Sequence, residues 1–160
     1  MDIKELLNQF TLFDPAKGQR AELPAVEGNY IVVLKAGCNI PDVLGNFKYT
    51  EISLHGVDYR VLYTGIASDL KRRIWTNHLH GNGGTSTFRK TLGSLFGYQK
   101  IPRDKNYQIN KKTKFGAEDE NSLTAWMEHN LLFAYLSNDK SKELESFLID
   151  SLLPPLNVEG

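Results

Sequence analysis

A chain of 160 residues that is 41% hydrophobic is long enough for one ordinary domain with a real core. The single cysteine, Cys38, excludes an internal disulfide and a cysteine-based zinc cluster. No run approaches the roughly 20 apolar residues of a bilayer span, and Met1-Asp2-Ile3-Lys4-Glu5 has neither the basic start nor the apolar run of a secretory signal, so the chain reads as a cytoplasmic globular protein with no membrane partner.

The formal net charge is zero, which by itself argues against a polyanionic partner, but the charge is unevenly placed. Arg60 to Phe115 holds 12 Lys/Arg against two acids, Asp69 and Asp104, for a charge of +10. The remainder carries −10, from seven Lys/Arg and 17 acids. Such asymmetry marks a candidate basic face for a polyanion.

Along the chain, Leu6, Leu7 and Phe10 at helical spacing predict a short leading helix within residues 2–11. Pro15, Lys17-Gly18 and Pro24 mark an irregular connection, so residues 1–27 precede the main unit at 28–160. Asn29 to Leu34 is a nearly continuous β-branched and apolar run that predicts a strand covered on both faces. Tyr59 to Thr64 predicts a second strand closed by Gly65, with residues 38–58 as a long, partly extended connection. Ser68 or Asp69 can cap a helix running to about His80, and Gly81 stops it. A second helix, capped by Ser86 or Thr87, carries Phe88, Leu92, Leu95 and Phe96 on one side. Gln99 to Gly116 is polar and basic and reads as a loop. Ser122 to His129 predicts a helix, Leu131 to Leu136 a third strand, and Ser141 to Leu153 a last helix ended by Pro154-Pro155. These elements make an α/β domain with a small, mainly antiparallel three-stranded sheet flanked by helices.

One residue of the last helix is out of place. At about 100° per residue, Leu144, Phe147, Leu148, Ile149 and Leu152 form an apolar sector, and Glu145 projects within it while Glu143 and Asp150 face away. A carboxylate on the core side must be hydrogen-bonded, paired or bound to a cation. Glu128 is a rival carboxylate at the edge of its own helix's apolar face. In the first helix Arg73 and Asn77 share a face, to which His80 returns, whereas His78 points elsewhere on an ordinary α-helix.

The order of short motifs ties these residues together. Gly28-Asn29-Tyr30 opens one strand and Tyr63-Thr64-Gly65 closes the next; Arg73 follows ten residues after Tyr63, Glu145 stands on the last helix, and Pro154-Pro155-Leu156-Asn157 ends the series. This set resembles the GIY-YIG nuclease family, from Gly28 to Asn157. Asn29 and Thr64 depart from the family's tripeptides at positions that need only fit the sheet. A further departure is Asn77, where many members have His or Tyr one turn after the arginine; His78 is displaced by one, so His78, Asn77 and His80 all stand for this role.

The resemblance implies metal-dependent hydrolysis of DNA phosphodiester bonds. In that reading Glu145 holds Mg²⁺ (or Mn²⁺), which prefers one or two carboxylates plus waters and phosphate oxygens. Arg73 grips the scissile phosphate, Tyr63 hydrogen-bonds phosphate or water, and Asn157 orients water or the metal's outer ligands. Tyr30 is the general base. A phenol titrating near pH ~10 needs neighbouring cations, Arg73 and the metal, to favour its phenolate. Arg72, Arg89, Lys90, Lys111 and Lys112 are candidate DNA contacts, with Lys100, Arg103, Lys105 and Lys114 extending a path set by charge. Trp75 and Trp126 read as packing residues. The Asn77/His78 departure supports an alternative, a catalytically inactive DNA-binding module of the same fold. Duplex and single-stranded DNA both remain open as substrate, and a partner protein or a second copy of the chain is a further route to targeting.

Overall fold

In the computed structural model, which describes residues 2–41 and 48–157, the apolar run Gly28–Leu34 forms strand β2, buried at every position. The other residues, including 42–47 of the expected connection, lie outside the described part. Strand β4 (Val57–Ala67) pairs with one edge of β2 and β7 (Leu131–Ser137) with the other, both antiparallel. The sheet does not stop at these three expected strands. Thr11–Phe13 (β1) adds to β7 and Glu51–Leu54 (β3) adds to β4, giving five antiparallel strands in the order β1-β7-β2-β4-β3.

Both additional strands have short signatures. β1 has three residues, too few for a period, and lies just after the leading helix α1 (Ile3–Leu7). β3 is joined to β4 by His55-Gly56, whose φ angles of 52° and 85° place both residues in the left-handed region. That is the geometry of a tight two-residue hairpin turn. Asn-Gly or Asp-Gly would have announced it; His-Gly does not.

Alternation along β2 sorts the core into two layers. Tyr30, Val32 and Leu34 pack with Leu70, Ile74, Phe88, Leu92, Leu123 and Met127 on one side. Ile31 and Val33 pack with Leu6, Leu7, Phe10, Leu144, Leu148 and Leu152 on the other. Helices α2 (Thr87–Leu95) and α4 (Ala117–Asn130) therefore cover one face, and α1 and α5 (Ser141–Leu152) the opposite one. Among the described residues no helix is long and apolar enough to cross a membrane.

Two stretches differ from expectation in ways that bear on the site. The segment after β4 begins as foreseen, with Asp69 Oδ1 accepting from the Arg72 N–H at 3.0 Å, but Arg72–Leu79 winds as a π-helix. The His80 N–H closes onto Trp75 O, five residues back. Gln99–Gly116 is no loop: β5 (Lys100–Pro102) and β6 (Thr113–Phe115) pair in a separate two-stranded sheet, with a helical turn α3 (Tyr107–Asn110) between them.

Candidate active site

The two tyrosines reach the same face of the sheet through an irregularity. Tyr30 pairs with Gly65 and Val32 with Tyr63, but Val33 pairs with Val61, so β4 carries one extra residue at Leu62. This β-bulge reverses the inside-outside alternation of β4. Without it Tyr63 would share the face of Val61, which packs against α5. With it, Tyr63 stands beside Tyr30, ring centroids 6.1 Å apart. Gly65 follows from the same geometry, because the Tyr30 ring lies over it and a Cβ there would overlap the Tyr30 hydroxyl. Gly28 is dictated likewise by the β7 backbone, since a Cβ would run into Leu136 O.

The π-helix brings His78 into the cleft that Arg73 also lines. With i→i+5 closure, a turn holds one residue more than in an α-helix, so the residue above Arg73 is His78 and not Asn77. His78 is buried, its Nε2 2.6 Å from the Tyr30 hydroxyl and its Nδ1 2.7 Å from Ser86 Oγ. Asn77 instead lines a neighbouring polar groove of about 170 Å³ with Asp69, Arg72 and Arg73. His80 is exposed, its ring tilted against Trp75 with centroids 4.5 Å apart. Neither lines the cleft that holds Tyr30, Tyr63 and Glu145.

Glu145 enters from α5. The start of that helix is fastened to β2 by Asn29, whose Nδ2 donates to Ser141 O at 2.8 Å and whose Oδ1 accepts from Asn138. Asn29 thus does more than fit the sheet: it fixes the helix one turn before Glu145. Tyr30, Tyr63, Gly65, Ile66, Arg73, His78, Thr87 and Glu145 line a single cleft of about 220 Å³. Neither the Glu145 carboxylate nor the Arg73 guanidinium has a hydrogen-bond or ion-pair partner among the described residues. Glu128 lies outside this cleft. No cluster of three or more metal-ligating side chains occurs among the described residues, so Glu145 is the one anionic ligand the cleft provides for a cation.

The electrostatics of the cleft follow from its burial. Burial pushes the Tyr30 phenol well above its ordinary value and Tyr63 beside it adds to the rise; Arg73 pulls the other way without prevailing. With the protein's own groups alone, Tyr30 is a protonated phenol. Burial also lowers His78 to about 3, with Arg73 and Arg89 contributing, so its imidazole is neutral. Burial raises Glu145.

Two assignments change. Arg89 cannot touch DNA, because its side chain is fully buried. It donates from Nε and Nη2 to Glu120 Oε1 and from Nη2 to Glu120 O, and from Nη1 to His78 O, Leu79 O and Thr124 Oγ1. It thereby caps the end of the π-helix at His78 and Leu79. Asn157 does not face the cleft: its Oδ1 accepts from the Thr64 N–H at 2.9 Å and its Nδ2 donates to Thr64 O at 2.8 Å. Its amide completes β4 where β3 has already ended, between Tyr63 and Gly65. Arg72, Lys111 and Lys112 are exposed and Lys90 is half-buried. Ser86, expected as a helix cap, caps α2 and also hydrogen-bonds His78, and Thr87 joins the cleft wall. Glu120 carried no signal in its spacing.

Side chains from β2, β4, the π-helix and α5 converge on one polar cleft in a small antiparallel α/β domain, an arrangement suited to catalysis. A family model described as the GIY-YIG catalytic domain matches residues 28–160, and the chain belongs to that family. Nuclease activity is the class of function the family carries. Searches of curated proteins and of solved structures found no match.

Proposed function

We propose that this protein is a metal-dependent endonuclease that hydrolyses DNA phosphodiester bonds. The observation that carries the reading is the convergence of Tyr30, Tyr63, Arg73, His78 and Glu145 on one cleft of about 220 Å³. A lone, partly desolvated carboxylate without a protein partner suits Mg²⁺ or Mn²⁺, which complete their shells with water and phosphate oxygens. It does not suit zinc, which takes three or four protein ligands. When bound at Glu145, the cation supplies charge neutralisation on the phosphate and the leaving oxygen.

Arg73 binds the non-bridging oxygens through paired N–H donors. Tyr63, at the cleft wall, orients the phosphate or the attacking water. Tyr30 accepts the water's proton at its hydroxyl oxygen as it passes its own proton to His78 Nε2, 2.6 Å away. No free phenolate is needed, consistent with the raised Tyr30. The relay uses the tautomer in which His78 Nδ1–H donates to Ser86 Oγ, leaving Nε2 as acceptor. A bound phosphodiester offsets the charge of Arg73, one of the cations that keep His78 deprotonated. The imidazole is then a better proton acceptor with substrate present than without it. Arg72 in the adjoining groove and Lys90, Lys111 and Lys112 are the proposed backbone contacts.

The alternative, an inactive DNA-binding module motivated by the Asn77/His78 departure, would be supported by salt-dependent DNA binding without cleavage over a range of metals. The test is plasmid and oligonucleotide cleavage with Mg²⁺ or Mn²⁺, with and without chelator. Glu145→Gln and Tyr30→Phe each lower the rate by roughly 10²–10⁴. Cleavage at the wild-type rate by Glu145→Gln refutes the metal assignment.

A further inference from the structure

The Gln99–Gly116 segment is an arm seated beside the cleft. At its base Glu120 Oε2 accepts from the Phe115 N–H at 2.9 Å and the Gly83 N–H at 2.8 Å, and Arg103 Nη1 donates to Gly84 O. Those bonds clamp the arm to the turn at Asn82–Gly84, three residues before Thr87 of the cleft wall. The arm carries six Lys/Arg and one acid, Asp104, which is paired with Arg103 at 3.2 Å. It also brings cations against α2. Partial burial, and then the charges of Lys100, Lys112 and Arg103, hold the Lys90 ammonium below its ordinary value. Like charges gathered this way repel unless an anion joins them. At the arm's outer turn one large apolar side chain stands free, Ile109 at 86% exposed, and the Lys111 ammonium lies 5.3 Å from the Tyr107 ring centroid.

We propose that this arm is a built-in DNA-binding element: Lys90, Lys100 and Lys112 hold the backbone beside the scissile phosphate while Ile109 seats against an opened base step. The preferred substrate is then duplex DNA with a broken stack, such as a flap, in place of a continuous duplex. The inference rests on the reading that the cleft takes a DNA phosphate, and it adds which DNA. Lysines on phosphates give affinity without sequence preference. An apolar side chain pressed between bases costs unstacking energy, which an already interrupted stack does not charge again. The arm also provides targeting within the chain, where a partner protein or second copy would otherwise be needed.

The test is fluorescence anisotropy of wild-type protein in chelator, titrated against a labelled continuous duplex and the same duplex carrying a single-stranded flap, across a salt series. The flap substrate binds about tenfold more tightly. Lys90→Gln, Lys100→Gln and Lys112→Gln each reduce the slope of log K against log salt by about one on both substrates. Ile109→Ser lowers flap affinity to that of the continuous duplex and leaves the latter unchanged. Unchanged slopes, no flap preference in the wild type, a preference retained in Ile109→Ser, or tighter binding to plain single strands than to the flap overturns the proposal. Cleavage is scored separately with Mg²⁺. A protein that cleaves while the variants bind like wild type loses the arm and keeps the cleft; no cleavage together with reduced slopes does the reverse. Unfolding temperatures of these surface variants verify that the fold is retained.

Discussion

Replacing Arg89 by methionine tests whether the buried ion pair serves the site as well as the fold. The substitution removes the guanidinium that makes six hydrogen bonds. It leaves the Glu120 carboxylate without its cation and His78 O without a donor, whereas Leu79 O keeps Thr124 Oγ1 at 2.7 Å. Breaking a buried pair by removing one partner costs about 3–5 kcal/mol. For a domain of this size that lowers the unfolding temperature on the order of 10 °C. Adding Glu120→Gln removes the stranded charge yet keeps a carbonyl to accept from Gly83 and Phe115 N–H, so the double variant regains about half of the lost stability. Activity does not return with it, because the His78 carbonyl still lacks the donor that fixes the end of the π-helix. Thermal unfolding and nicking rates, measured on both variants, separate the two effects. Recovery of rate in parallel with stability, or an Arg89→Met protein within about 1 kcal/mol of wild type, refutes the reasoning.

Acid sensitivity should trace to His78. The unfolded chain takes up a proton near the ordinary imidazole value of 6.5, which the folded site refuses down to about 3, so this contribution is complete above pH 6.5 and declines as pH falls through that window. Between pH 7 and 4 the wild type loses roughly 3 kcal/mol from this source, and denaturant titration of His78→Gln at the two pH values should show that loss missing. Gly65→Ala pushes on the Tyr30 hydroxyl and, by moving it off His78, should lower the cleavage rate by about 10² while secondary structure by circular dichroism stays intact. Asn157→Ala leaves the Thr64 N–H and C=O without their partners and should cost about 1–2 kcal/mol in thermal unfolding. Asn157→Asp, which keeps the acceptor but places charge beside Thr64 O, should not restore it.

The parts of this protein legible in its sequence are those fixed by residue type. The apolar run of β2, the Ser86 cap and the misplaced carboxylate of Glu145 each follow from a local rule, and the structure brings Tyr30, Tyr63, Arg73 and Glu145 to one cleft. What escaped depends on geometry that composition does not encode. His78 was named beside Asn77 and His80, but which of the three enters the cleft depends on a helix that winds five residues to the bond. Tyr63 faces Tyr30 only because a bulge shifts the register of β4. Arg89 sits among basic residues in sequence and looked like one more phosphate contact; only tertiary packing reveals that α4 supplies Glu120 to bury it. Asn157 carries the right residue type for a polar site, yet its amide is taken up by the edge of β4 at Thr64, beyond the Glu51–Arg60 pair that bounds β3.

The wide helical turn between Arg73 and His78 has a consequence for how this segment tolerates change in length. What the site requires there is an angular relation between guanidinium and imidazole, and two windings satisfy it, a π-turn with four intervening residues or an α-turn with three. Excision of Asn77 should therefore let the segment rewind as ordinary α-helix with the same two side chains on one face. A one-residue deletion inside a catalytic helix, ordinarily ruinous, is here a change between two solutions of the same constraint.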